Sequence, residues 1–130
     1  MLEFKPEDEI AFLHKEITEA IIGSAFEVYN HLGYGFLHRV YQRSLQVELM
    51  RRGFSDLEKR TTVRYKDVIV GEYDGDMIVN GVVLVEIKIA PQYDKRDEAQ
   101  LLNVLKATGL KVGMLLNFGR YKVEYKRLIF

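Results

Sequence analysis

Asp76-Met-Ile-Val-Asn-Gly-Val-Val-Leu-Val-Glu86-Ile-Lys88 sets three charged side chains into two otherwise apolar runs joined by an Asn-Gly pair. Aliphatic residues on both sides of Asn80-Gly81 predict a β-hairpin. A carboxylate or an ammonium inside a sheet is costly unless it pairs or binds an ion. Asp76, Glu86 and Lys88 are therefore the first candidates for chemistry.

Whether they meet depends on register. If Asn80-Gly81 is a two-residue type I′ loop, Val79 pairs with Val82, Asp76 lies across from Val85, and Glu86 falls on the opposite face. If the loop is Val79-Asn80-Gly81, with Gly81 closing a G1 bulge, Ile78 pairs with Val82. Asp76 is then opposite Leu84 and diagonal to Glu86 on one face, at roughly 7–8 Å between alpha carbons. That gap suits one Mg²⁺ held by oxygens at about 2.1 Å. Alternation adds Lys88 to the same face. The three-residue loop is the expected one.

Working outward, Ile10, Leu13, Ile17, Ala20, Ile21, Ser24 and Val28 fall at helical spacing, with Pro6 suited to the first turn and Glu7, Asp8 and Glu9 favourable at its N-terminus. Gly33-Tyr-Gly35 breaks the chain. A second helix is predicted from Phe36 to Arg52, closing at Gly53, with Leu37, Tyr41, Leu45 and Leu49 inward and His38 on the face of Tyr41 and Leu45. From Leu57 the period falls to two, through Thr61, Val63 and Tyr65, then Val68, Val70 and Tyr73, before the hairpin and a strand from Val82 to Ala90 stopped by Pro91. Asp94 to Lys106 is a third helix, with Asp94 as cap and Gly109 at its end. Strands Gly113 to Asn117 and Lys122 to Ile129 follow. This order predicts an α/β fold in which the crossover helix makes the strands before and after it parallel.

The chain has 130 residues, 48% of them hydrophobic, which predicts one domain over residues 1–130. No apolar run approaches the roughly 20 residues of a membrane span, and the acidic N-terminus is unlike a signal peptide, so no membrane association and a cytoplasmic location are expected. The absence of cysteine excludes disulfides and thiolate chemistry. Formal charge is zero, yet residues 1–30 carry seven acids and two bases, whereas the remainder is net basic. A modest phosphate-binding surface is expected on that second part. Tyr65, Phe118 and Tyr121 read as packing residues rather than base-stacking platforms, and His14 and His31 as surface residues.

Several short motifs, in order, resemble the GxxExxY family of the PD-(D/E)XK nuclease superfamily: Gly35-Phe-Leu-His38-Arg-Val-Tyr41, Tyr65-Lys66, Gly75-Asp76, Glu86-Ile-Lys88, Glu98-Ala-Gln100-Leu-Leu-Asn103, Leu105-Lys-Ala-Thr-Gly109 and Gly113-Met-Leu-Leu-Asn-Phe-Gly119. The likeness runs from about Ile10 to Ile129. It departs from the family at two positions, with His38 where the motif has Glu and Val104 where an aromatic follows Gln-Leu-Leu-Asn.

The resemblance implies a restriction-endonuclease-like fold, with a mixed sheet of about five strands flanked by about three helices. It also implies a metal-dependent nuclease acting on nucleic acid, with DNA the expected substrate. In that reading Asp76, Glu86, the Ile87 carbonyl and His38 hold Mg²⁺ or Mn²⁺. RecB-like members of the superfamily also place a ligating His on an early helix, and neutral imidazole suits Mn²⁺ better than Mg²⁺. Lys88 orients the attacking water or stabilises phosphoryl charge, and Gln100 hydrogen-bonds a phosphate or a metal-bound water. Two other readings stand beside it. One is a nucleic-acid-binding module of the same fold that cleaves weakly or not at all. The other is a homodimeric interaction protein in which the acidic first helix meets the basic remainder of a neighbour. From the residues alone, Asp76 could instead cap the hairpin while Glu86 pairs with Lys88.

Overall fold

The computed structural model describes residues 13–130. Helices α1 (Lys15–Leu32) and α2 (His38–Arg51) precede strands β1 (Leu57–Tyr65), β2 (Val68–Val79) and β3 (Val83–Lys88); helix α3 (Arg96–Thr108) then leads to β4 (Val112–Phe118) and β5 (Val123–Ile129). The strands form one sheet in the order β1-β2-β3-β4-β5. All neighbours are antiparallel except β3 and β4, which α3 connects by a crossover. The expected α/β class, element order and mixed five-stranded sheet are all observed, with three helices among the described residues. Pro6, Glu7, Asp8, Glu9 and Ile10 lie outside the described residues. No helix among those described is long and apolar enough to cross a membrane.

Alternation divides the core. Met77, Val79, Val83, Val85, Ile87, Val112, Met114, Leu116 and Phe118 pack with Ile21, Ala25 and Val28 of α1 and with Tyr41, Leu45 and Leu49 of α2. On the other face Ile78, Leu84, Leu115 and Leu128 pack with Leu101 and Leu105 of α3. β4 is buried along its whole length, and β3 is buried at Val83, Leu84, Val85 and Ile87. Coverage on both faces explains why the central parallel strands read as nearly unbroken apolar runs.

The hairpin register differs from the expected one. Asn80 and Gly81 both take positive φ, 54° and 70°, and the Val82 N–H donates to the Val79 carbonyl at 3.1 Å. That is the local turn of a two-residue loop. The ladder nevertheless pairs Val79 with Val83, Ile78 with Leu84 and Met77 with Val85, so Val82, not Val79, is the extra residue. Placing both Asn and Gly in the left-handed region is the conformation the dipeptide favours most. The correction shifts every pair by one step of two but preserves the face, so Ile78 and Leu84 still point to the same side.

Two packing expectations also fail. Leu37 is not inward: it precedes α2 in an extended conformation and is 71% exposed. Tyr65 and Tyr121 do not pack either, being 64% and 85% exposed, because one ends the β1–β2 arm and the other sits in the β4–β5 turn. Phe118 is buried as expected. Asp94 stands just outside α3, where its Oδ1 accepts the Arg96 N–H at 2.9 Å.

Candidate active site

The site grows from an interruption in β2. Against β1, Glu58 pairs with Ile78 and Arg60 with Asp74, so β2 carries two extra residues across Gly75, Asp76 and Met77. Such a bulge bends the strand and re-aims a side chain. On the opposite edge of β2 the ladder to β3 stops at Met77–Val85, and the strands part beyond it. Side chains then take over the backbone's hydrogen bonding. Asp76 Oδ2 accepts the Ile87 N–H at 2.7 Å, and Gln42 Nε2 donates to the Asp76 carbonyl at 2.7 Å. Polar backbone groups in a half-buried fork need such partners.

His38 enters the fork from α2. Its Nε2 lies 3.2 Å from Asp76 Oδ1 and 3.1 Å from the Ile87 carbonyl oxygen. The His38-x-x-Tyr41 spacing explains the aim. Tyr41, one turn along, is fully buried, stacks on Phe118 with ring centres 4.5 Å apart, and donates its hydroxyl to the Gly33 carbonyl at 2.6 Å. That anchor sets the rotation of α2, and side chains three apart share a face. With a proton on Nε2 the ring donates to both oxygens; without it, Nε2 is a third lone-pair donor beside them.

Glu86, Lys88 and Gln100 meet on the α3 side, in a narrow cleft that Tyr73, Asp97, Leu101, Val104 and Leu115 also line. It leaves space of about 20 Å³, enough for one water. Glu86 does not pair with Lys88; its Oε1 accepts the Tyr73 hydroxyl at 2.8 Å. Burial pushes the Glu86 carboxyl up to about 7, and neighbouring Asp76 adds to the rise, while the Tyr73 hydrogen bond and the Lys88 ammonium pull against it. Burial, followed by the bond to Glu86, raises the Tyr73 phenol, which therefore stays a donor.

The structure thus brings His38, Asp76 and the Ile87 carbonyl together, and Glu86, which lines a cleft with Lys88 and Gln100, adjoins Asp76. Among the described residues no three His, Asp or Glu side chains converge as a ready metal cluster. The donors present nonetheless suit a hard divalent cation. Separations of 3.1 and 3.2 Å match the edge of a coordination octahedron with bonds of about 2.1 Å. One or two carboxylates with a carbonyl and retained water are an ordinary shell for such an ion.

Three structural contributors escaped sequence reasoning. Tyr73 read only as a strand residue, and Gln42 as an ordinary helix position. Asn117 is buried and bonds both ways with Ala90, accepting its N–H at 3.2 Å and donating to its carbonyl at 3.1 Å. It pins the chain just past Lys88 to β4. Only the polar side chain at the end of an apolar run, in Leu115-Leu-Asn117, hinted at this.

A family model described as the PD-(D/E)XK nuclease superfamily matches residues 15–128. No curated protein matches the chain. Among solved structures, the crystal structure of SSO0001 is similar, with 16% identity and a TM-score of 0.47, covering 93% of this chain and 62% of that one. The chain spans less than two thirds of the length of that neighbour. With the family model matched over nearly the whole described chain, this protein belongs to the PD-(D/E)XK nuclease superfamily.

Proposed function

We propose that the protein is a divalent-metal-dependent nuclease that hydrolyses phosphodiester bonds in DNA, and that it is a GxxExxY-type member with His38 in place of the motif glutamate. The observation that carries this reading is the convergence of Asp76 Oδ1, the Ile87 carbonyl and His38 Nε2 in the β2–β3 fork, with Glu86 and Lys88 beside it. Asp76, His38, the Ile87 carbonyl and Glu86 would hold Mg²⁺ or Mn²⁺. When bound, the ion supplies Lewis acidity toward a phosphoryl oxygen and lowers the pKa of water.

The chain's own groups do the rest. Lys88 provides fixed positive charge in a water-poor cleft, where it stabilises charge developing on phosphorus or orients the attacking water. Gln100, exposed at the start of α3, offers an amide to a phosphate oxygen. Burial holds the metal-free Glu86 carboxyl near neutrality, so binding of a cation would be coupled to loss of its proton.

A second reading, a binding module that cleaves poorly, is favoured by His38 and Val104 standing where the resembled family carries Glu and an aromatic. Incubating the purified protein with labelled single- and double-stranded DNA, in Mg²⁺, Mn²⁺ or chelator, separates the two. Metal-stimulated cutting that falls about 10²–10³-fold in Lys88→Ala supports the nuclease. Salt-sensitive binding without cutting supports the module. Cutting that persists undiminished in Lys88→Ala overturns the assignment.

A further inference from the structure

We propose that Tyr73 is a positioning residue of this site, its hydroxyl anchoring one oxygen of Glu86 so that the other is presented toward Asp76 when a divalent cation binds. This rests on the metal-dependent reading above. Tyr73 comes from β2, outside every motif that carries the family resemblance.

The contact is direct, with the hydroxyl 2.8 Å from Glu86 Oε1, and the Glu86 carboxyl also adjoins Asp76, so fixing Oε1 fixes how the group faces Asp76. It is made across Gly75. A Cβ added there would meet Leu84 Cδ1 at 2.6 Å and lie 3.4 Å from Glu86 Oε1 and 3.6 Å from the Tyr73 ring, so even alanine at 75 would push Leu84 or the strand aside. The glycine before Asp76 thus leaves room for Leu84, while Glu86 and the Tyr73 ring lie within ordinary contact distance of the same spot. Val104 of α3 lines the same cleft.

Ligating carboxylates are commonly oriented by an outer hydrogen-bond partner, whose loss costs 10–100-fold in metal affinity. A phenol held as a donor beside a half-buried carboxylate is such a partner. If Tyr73 served only to satisfy a buried oxygen, its loss would change stability and leave metal affinity alone.

The test is calorimetric titration of the full chain with Mn²⁺ alone, comparing wild type, Tyr73→Phe and Asp76→Asn, with unfolding midpoints measured in chelator. Tyr73→Phe keeps the ring and its packing and removes only the oxygen. A weakening of Mn²⁺ affinity by about 10–100-fold is expected, with an unfolding midpoint that stays cooperative. Affinity within about threefold of wild type, while Asp76→Asn loses binding, overturns the role of Tyr73 and leaves the metal site standing. Wild-type affinity in Asp76→Asn overturns the metal reading itself, and the inference with it.

Discussion

The two ends of the β2–β3 hairpin obey different rules. At the turn end, Met77–Val85 to Val79–Val83, backbone pairs with backbone and all of the paired side chains are buried. At the open end the ladder has stopped, and carboxylate, imidazole, amide and phenol groups make the contacts that peptide groups make elsewhere. The difference shows that the site is a place where regular pairing was given up. A continued ladder would commit the Ile87 N–H to the neighbouring strand and leave Asp76 without its anchor.

The contrast is easiest to break at the turn end. Leu84→Ala removes a fully buried side chain that packs toward α3, and should destabilise the protein by about 2–5 kcal/mol in urea unfolding. A loss below about 1 kcal/mol would mean that this half of the hairpin is not the rigid platform described.

The open end should respond in the opposite direction. The folded Glu86 carboxyl titrates near 7, above the ordinary 4.5, so the native state holds its proton more tightly than the unfolded chain. Stability of the metal-free protein should therefore decline as pH climbs from about 4.5 to about 7 and level off above. Glu86→Gln, which carries no charge, should be more stable than wild type at pH 8, by an amount on the order of 1–3 kcal/mol, and the advantage should disappear in acid. Parallel pH profiles for the two proteins would show that the carboxylate is well solvated after all.

The smallest effect on the fold is expected at His38, whose side chain is 43% exposed while that of Asp76 is 18% exposed. His38→Glu, which sets a carboxylate beside Asp76 and the Ile87 carbonyl, should cost about 1 kcal/mol in chelator. It should raise Mg²⁺-supported cleavage relative to Mn²⁺-supported cleavage, because carboxylate suits Mg²⁺ better than imidazole does. A fall in that ratio would assign His38 a task other than ligation.

Much of this architecture was legible from residue order. Helical spacing in Tyr41, Leu45 and Leu49, the unbroken apolar runs of the central strands and the Asn-Gly turn marked the elements, and the crossover helix settled which strands run parallel. The charged trio Asp76, Glu86 and Lys88 stood out because charge inside apolar strands is costly. Leu37 was misread because helical periodicity extends one residue past the point where the backbone turns extended. The register was misassigned because Asn-Gly specifies the turn but does not say which neighbour is left out of the ladder.

Local chemistry, periodicity, turn preference and the cost of an unpaired charge, is written in neighbouring residues and can be read one segment at a time. The β2 bulge, the parting of β2 from β3, the reach of His38 from α2 and the grip of Tyr73 on Glu86 rest on contacts between residues 11 to 49 positions apart. Such contacts arise when the described helices and strands compete for one packed volume, and the distances that decide chemistry appear only once that competition is resolved.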